Sequence, residues 1–361
     1  MNTAYAGLHR ASVGALCDYS ERIDVRSPAE FALDHVPRAV NHPVLDDSQR
    51  ARIGTMFAAS PFTARKLGAA LVARNIATML ETAFIERPRE WRPLVYCWRG
   101  GQRSRALTEV LNEVGWRAVQ LEGGYRAYRH YVVAELAVRP WRFDFAVICG
   151  LTGSGKSRLL AALRAAGAQT LDLEGMARHR GSLLGDLPDD AQPSQKWFES
   201  QLLEALAGLD PGRPVYVESE SRRIGAVQMP DALLERMRAG RAVTLNTPLA
   251  HRVALLKEEY AHYLAAPGLL ADRLQRLTVL HGKAVTARWS EMAAAGDWDA
   301  LVGELLAAHY DPTYARSLER NFPAVRRAVS IDVDDASREN FAALAREVRT
   351  TIEPGQAIAG W

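Results

Sequence analysis

The chain is poor in cysteine, poor in lysine and free of long apolar runs. Its 3 cysteines in 361 residues, Cys17, Cys97 and Cys149, form an odd and widely spaced set. Such a set excludes a disulfide framework or a cysteine-rich zinc module, so no tightly bound structural metal is expected and a reducing cytoplasm is the default. No stretch reaches the roughly 20 apolar residues of a membrane span. The segment from Met1 to Arg10 lacks the basic-then-apolar order of a signal peptide. A net charge of +3 is too small to announce a nucleic-acid partner. No Asn/Thr-Lys-x-Asp motif is present, which sets aside a guanine-specific GTPase. What remains, 48% hydrophobic and 24% charged residues, is ordinary globular composition, and the length favours two domains.

The stretch that organises the rest is Val147-Ile-Cys-Gly-Leu-Thr-Gly-Ser-Gly-Lys-Ser157. An apolar run from Phe145 to Cys149 reads as a buried strand, and Arg158 to Ala166 reads as a helix. Between them, Gly150 to Ser157 fits G-x-x-x-x-G-K-[ST] without a mismatch, in the strand–loop–helix context that a phosphate loop needs. Gly150, Gly153, Ser154 and Gly155 would turn backbone N–H groups onto a polyphosphate, helped by the helix N-terminus. Lys156 would reach the terminal phosphates and the Ser157 hydroxyl would ligate Mg²⁺. Further on, Gln169 to Leu173 and Pro214 to Glu218 read as strands, as do Arg241 to Asn246 and Val329 to Val333. A helix is expected from Trp197 to Leu209, and a mostly helical region from His251 to Leu318. An acidic residue at a strand end orients the metal in phosphate-loop proteins, so Glu218 is the first candidate and Asp172 the second.

Ahead of this lie shorter alternating elements. Ile23 to Val25 reads as a strand, Ser27 to Glu30 has capping-box spacing with Pro28 at the first helical position, and two helices follow over Asp46–Phe57 and Ala64–Ala83. Leu94 to Cys97 is an apolar strand that ends on cysteine, followed by Trp98-Arg-Gly-Gly-Gln-Arg-Ser104 and a helix to Val114. A thiol between a strand end and a helix start meets converging N–H groups, which lower a cysteine pKa from about 8.5 by one to several units. Arg99 and Arg103 add positive charge nearby, so Cys97 is expected to be reactive. Cys149, mid-strand, is expected to be core. Arg117 to Glu122 reads as a strand, and Gly123 opens a helix to about Val138. Eight arginines stand against four glutamates between Arg99 and Arg142, with Trp98, Trp116, Tyr125, Tyr128 and Tyr131 among them. With Arg178-His179-Arg180 and Arg222-Arg223, this pattern suits a phosphate backbone and stacked bases. Arg126 and Arg129 belong to the same stripe.

Two resemblances follow from these residues. Asp24-Val-Arg26, the His35–Asn41 turn, the Cys97 loop and Gly123-Gly-Tyr125 resemble, in order, the landmarks of rhodanese-like sulfurtransferase domains, which are α/β with a central parallel sheet. The Cys97 loop also has the C-x₅-R spacing of cysteine phosphatases, with Tyr96 where those usually carry histidine. The segments Tyr96–Ser104, Gly150–Ser157, Leu171–Gly175, His179–Ser182, Gln192–Lys196 and Val217–Ser221 together resemble the tRNA 2-selenouridine synthase family over nearly the whole chain. The expected architecture is therefore α/β throughout. A rhodanese-like domain with a parallel sheet over 10–138 is followed by a linker over 139–144. A P-loop NTPase-like domain with a helical C-terminal region then occupies 145–361.

The resemblance implies a transferase that acts on the wobble 2-thiouridine of tRNAs for Lys, Glu and Gln. Sulfur is alkylated with geranyl diphosphate, and selenophosphate then supplies selenium to give 2-selenouridine, with Mg²⁺ and no redox cofactor. Lys156 would stabilise the departing diphosphate. Cys97 would accept selenium as a perselenide or otherwise engage its donor, with Arg99 and Arg103 on the donor's phosphate. Arg126, Arg129, Arg178, His179, Arg180, Arg222 and Arg223 would face tRNA. Two alternatives stay open: an ATP-dependent RNA sulfurtransferase or kinase using the same loop, and a nucleotide-gated tRNA-binding module.

Overall fold

The computed structural model describes residues 9–188 and 190–353. The N-terminal residues 1–8 and the last residues of the expected second domain, 354–361, lie outside them. The chain forms two compact units: the first runs through Glu135 and takes in Ser194–Glu204, and the second comprises Leu136–Pro193 and the chain from Ala205 onward. The expected domains were contiguous in sequence, whereas the first unit borrows part of a later helix. Residues 139–144, expected as a linker, contain a 3-10 turn over Arg139–Arg142.

In the first unit the strands are β1 (Arg10–Ala11), β2 (Arg22–Asp24), β3 (Ala39–Asn41), β4 (Leu94–Tyr96) and β5 (Val119–Leu121). They form one sheet in the order β1-β5-β4-β2-β3, and every pairing is parallel. The connecting helices are α1 (Pro28–Leu33), α2 (Asp47–Ala59), α3 (Pro61–Thr82), α4 (Gln102–Val114) and α5 (Gly124–Val138). The capping box read from Ser27 and Glu30 is present, with the Ser27 N–H donating to Glu30 Oε2 at 3.2 Å. Ile23, Val25, Val95, Leu107, Leu111 and Phe84 form the apolar core. Beneath the sheet end, Asp24 and Arg26 make a fully buried ion pair at 2.6 Å. The Arg26 guanidinium lies 3.9 Å from the Tyr125 ring centroid. Tyr125 and Ser200 both donate to Asp34, at 2.6 and 2.8 Å. Each buried charge here therefore has a partner, as burial demands.

The second unit has a sheet of β6 (Phe145–Cys149), β7 (Gln169–Leu171), β8 (Val215–Glu218), β11 (Arg241–Asn246) and β12 (Val329–Asp332). Its order is β12-β11-β6-β8-β7, again with every pairing parallel. β6 is central, and Cys149 on it is wholly buried, as expected of a core residue. β7 ends two residues earlier than its apolar pattern suggests, because Asp172 caps a short helix, α7 (Leu173–Ala177). After α8 (Gln195–Ala207), the polar stretch beyond β8 forms a small antiparallel hairpin, β9 (Arg223–Ile224) with β10 (Val227–Gln228). The helix α6 (Lys156–Ala165) and the last helix, Arg338–Ile352, bury Leu159, Leu163, Phe341 and Val348 against the sheet. The expected helical region is present between Leu249 and Asn321 and has its own core around Trp289, Tyr263, Leu270 and Leu301. Within it Trp298–Leu305 runs into Asp311–Asn321 through a single π turn, Leu306–Tyr310.

Candidate functional site

Cys97 follows the last residue of β4, an interior strand of the first sheet. Its side chain is only 3% exposed. The Cys97 Sγ accepts the Gly101 N–H at 3.3 Å, at the start of α4, and the Ser104 hydroxyl at 3.2 Å from the first turn of that helix. Gln120 on β5 is buried and donates to Ser104 Oγ at 2.8 Å and to the Gly100 and Gly101 carbonyls at 3.0 and 3.1 Å. A relay of donors thus runs from Gln120 through Ser104 to sulfur. Close backbone approach fixes the other wall: a Cβ on Gly124, which has φ +58°, would stand 2.3 Å from the Cys97 carbonyl oxygen. The two expected arginines part company here. Arg103 pairs with Glu30 at 2.9 Å, so its charge is already met, while Arg99 is exposed and pairs with no acid among the described residues.

The phosphate loop leaves β6 and delivers Lys156 and Ser157 to the first turn of α6. Gly155 must be glycine, since its φ is +86° and a Cβ would stand 2.4 Å from the Phe341 ring. The Lys156 ammonium donates to the Gly150 carbonyl at 3.1 Å and sits 5.1 Å from the Tyr314 ring centroid. Burial pushes this lysine down, but Tyr314 and the carboxylates of Glu174, Glu220 and Glu218 outweigh it and hold it above the ordinary value. The Ser157 hydroxyl donates to Glu174 Oε2 at 3.3 Å.

Glu218 ends β8, whose register sets it beside Ile148 of β6. The side chain is 1% exposed, and neither carboxylate oxygen has a hydrogen-bond partner. Burial, with Glu174 adding, pushes its pKa up to about 8, while Ser157 and Lys156 pull the other way. Glu174 and Glu220 are both raised, chiefly by burial and by neighbouring carboxylates. Asp172 is placed differently. One of its oxygens accepts the Gly175 N–H at 2.8 Å as a helix cap, and the other pairs with Arg164 at 3.3 Å. Glu174, two residues later, is the acid that reaches Ser157. Among the described residues no group of three or more His, Cys, Asp and Glu is arranged to hold a metal by itself. An ion here would need phosphate oxygens among its ligands.

Lys156, Ser157, Glu174, Glu220, Tyr260 and Tyr314 line one cavity of about 580 Å³. His309, on the π turn, lines it too; its ring contacts that of His281, with Nδ1 3.0 Å from His281 Nε2. A small apolar annex of about 60 Å³ shares Thr152, Ser182, Leu256, Tyr260 and Tyr310 with that cavity and runs on to Leu270, Leu301 and Leu305.

The basic residues expected to face RNA are mostly engaged. Arg129 pairs with Glu199, Arg178 with Asp190 at 3.0 Å and Arg222 with Asp231 at 2.5 Å. His179 is buried, 3.4 Å from Asp186, and Arg180 lines the phosphate-loop cavity with its guanidinium 4.8 Å from the Tyr260 ring centroid. Arg126 and Arg223 are exposed. Glu174 and Glu220 fell within the segments Leu171–Gly175 and Val217–Ser221 but were given no role, and Tyr314 and His309 escaped the sequence reading because no motif marks them.

Comparison with known proteins gives two family models. The tRNA 2-selenouridine synthase AAA domain matches residues 143–268, and the Rhodanese-like domain matches residues 15–131. A tRNA 2-selenouridine synthase of Hydrogenovibrio crunogenus is 32% identical over 85% of this chain and 94% of its own length. One of Verminephrobacter eiseniae is 34% identical over 81% of this chain and 87% of its own length. For one of Nitrosomonas europaea the figures are 35%, 70% and 66%.

Proposed function

This chain belongs to the tRNA 2-selenouridine synthase family, and from that premise we propose that it converts 2-thiouridine at the tRNA wobble position to 2-selenouridine. The route passes through S-geranyl-2-thiouridine, with geranyl diphosphate and selenophosphate as co-substrates and the Lys, Glu and Gln tRNAs as acceptors. The observation that carries the geranyl step is the small apolar annex, about 60 Å³, whose lining shares Leu256, Tyr260 and Tyr310 with the phosphate-loop cavity. A phosphate loop beside an apolar recess suits a prenyl diphosphate, whose polar head and hydrocarbon tail have opposite needs.

In the first step the thiocarbonyl sulfur attacks C1 of the geranyl group. The C1–O bond breaks with its electron pair going to diphosphate, and the base releases its N3 proton. Lys156 and the N–H groups of Gly153 to Ser157 bind and stabilise the departing diphosphate. His309, which burial and His281 keep below the usual histidine pKa, is a neutral base on the same cavity wall. Ser157 and the unpartnered oxygens of Glu218 fit a hard divalent ion, and Mg²⁺ bound with the diphosphate would supply Lewis-acid stabilisation of its charge.

In the second step selenium attacks C2, geranylthiolate leaves and water cleaves the Se–P bond. Selenium in selenophosphate is already at the selenide level, so this displacement closes its electron count without an oxidant. Carriage as a perselenide on Cys97 would require a two-electron oxidation. Cys97 is therefore read as engaging the donor within its ring of N–H and hydroxyl groups, with the exposed Arg99 on the phosphate.

Nucleoside mass spectrometry of 2-thiouridine tRNA, incubated with both co-substrates and with ATP present or absent, tests this reading. Selenouridine formed without ATP is the expected result. Conversion that depends on ATP, with no geranylated nucleoside at any time, would return the phosphate loop to the kinase or sulfurtransferase alternative.

A further inference from the structure

From Ser48 to Leu80 the sequence carries Arg50, Arg52, Arg65, Lys66 and Arg74 and not one acidic residue. That stretch is nearly all of α2 and α3, and little of it serves the core: α2 buries no residue, and α3 buries only Ala64, Ile76 and Met79. Where the two helices join, Phe57 is 47% and Phe62 69% exposed. A cation attends each ring, with Arg65 5.9 Å from the Phe57 centroid and Lys66 5.1 Å from that of Phe62. Among the described residues Arg52, Arg65, Lys66 and Arg74 form no ion pair, while Arg50 reaches Glu30 at 3.8 Å.

Two exposed phenyl rings, each beside an uncompensated cation, match a single-stranded nucleic acid. The cations neutralise backbone phosphate and the ring faces stack on unpaired bases. A lipid surface fits less well, because it needs a continuous apolar face, whereas Ser60 lies between these residues in the chain and Arg65 and Lys66 stand beside the rings. The arginines expected from sequence to hold RNA are largely tied to acids, as Arg129, Arg178 and Arg222 are. We propose that the α2–α3 elbow is a docking surface for a single-stranded loop of the RNA substrate, with Phe57 and Phe62 as stacking platforms and Arg65 and Lys66 as phosphate contacts. This rests on the tRNA reading above.

Fluorescence anisotropy of labelled tRNA against the full chain, over a series of salt concentrations, tests it. Phe57→Ala with Phe62→Ala should weaken binding roughly tenfold or more and leave the salt slope unchanged. Arg65→Ala with Lys66→Ala should weaken it and lower the slope by about 2. Phe62→Tyr, which keeps a ring, should bind like the wild type, and thermal unfolding of every variant should match it, since these side chains are exposed. A duplex RNA of equal length should not distinguish the phenyl variants. Wild type that binds no tRNA would overturn the functional reading itself. Wild type that binds, with both double variants binding equally well, would overturn the elbow alone. Variants that lose only phosphatidylglycerol vesicle binding would make it a lipid surface instead.

Discussion

The two units share a plan and differ in how their charges are settled. Each has a five-stranded parallel sheet, and in each the key residue follows an interior strand: Cys97 after β4, the phosphate loop after β6. Around Cys97 the buried groups are paired, and of the two loop arginines only the exposed Arg99 has no acid among the described residues. Sulfur has two donors, Arg103 has Glu30, and the Asp24–Arg26 pair beneath is closed by Tyr125. Around Lys156 the reverse holds, with Glu174, Glu218 and Glu220 crowding one ammonium and both Glu218 oxygens left without a donor. The first site is preorganised by neutral donors for a soft anion. The second holds three carboxyl groups whose pKa values are all raised, chiefly by burial, and which a bound cation would let ionise.

This contrast can be broken experimentally. The largest effect expected is from Lys156→Ala, which should cut geranylation roughly a thousandfold. Cys97→Ser should leave geranylation intact and let the S-geranyl nucleoside accumulate. Nucleoside mass spectrometry time courses separate the two, and loss of the same step in both variants would erase the division of labour.

Removing a buried charge should have opposite signs in the two units. Arg26→Met strands Asp24 and should lower stability by roughly 3–5 kcal/mol, read from the denaturant midpoint. Glu218→Gln should instead raise it by about 4 kcal/mol at pH 8. The sign follows from protons. With a folded pKa near 8 against an ordinary 4.5, the folded chain holds a proton on Glu218 that the unfolded chain has released, so stability falls as pH rises through that window. The variant should flatten that part of a stability–pH curve. The smallest effect is at sulfur: Ser104→Ala removes one donor to Cys97 and should slow selenation about tenfold without touching geranylation.

Much of this was legible in sequence where the chemistry is local. Gly150 to Ser157 carries its own strand, loop and helix, and Cys97 carries its loop, so both sites were found by spacing. Glu218 was found because a strand end is visible in the apolar pattern of Val215 to Val217. Asp172 and Glu174 stand two residues apart, and only the turn of α7 decides that the first caps a helix and the second meets Ser157. Tyr314 and His309 approach the loop from more than 150 positions away, through helices whose packing no periodicity specifies. The alternation of strands and helices was read from the pattern, while the fold class came from the resemblance that those elements and loops carry. The helix Arg338–Ile352 and the two-residue β1 were not read, β1 because it is too short to show a period.

The π turn at Leu306–Tyr310 is in effect a one-residue phase shift in an otherwise continuous helix from Trp298 to Asn321. Each residue of an α-helix advances the face by about 100° and 1.5 Å. Deleting a single residue from the turn would restore regular winding and swing the entire Asp311–Asn321 segment by that angle. Tyr314 would leave Lys156, and Asp311 would leave Arg252, which it now pairs at 2.5 Å. The aim of one wall of the cavity is thus encoded in chain length, and an alanine scan that preserves length would miss it.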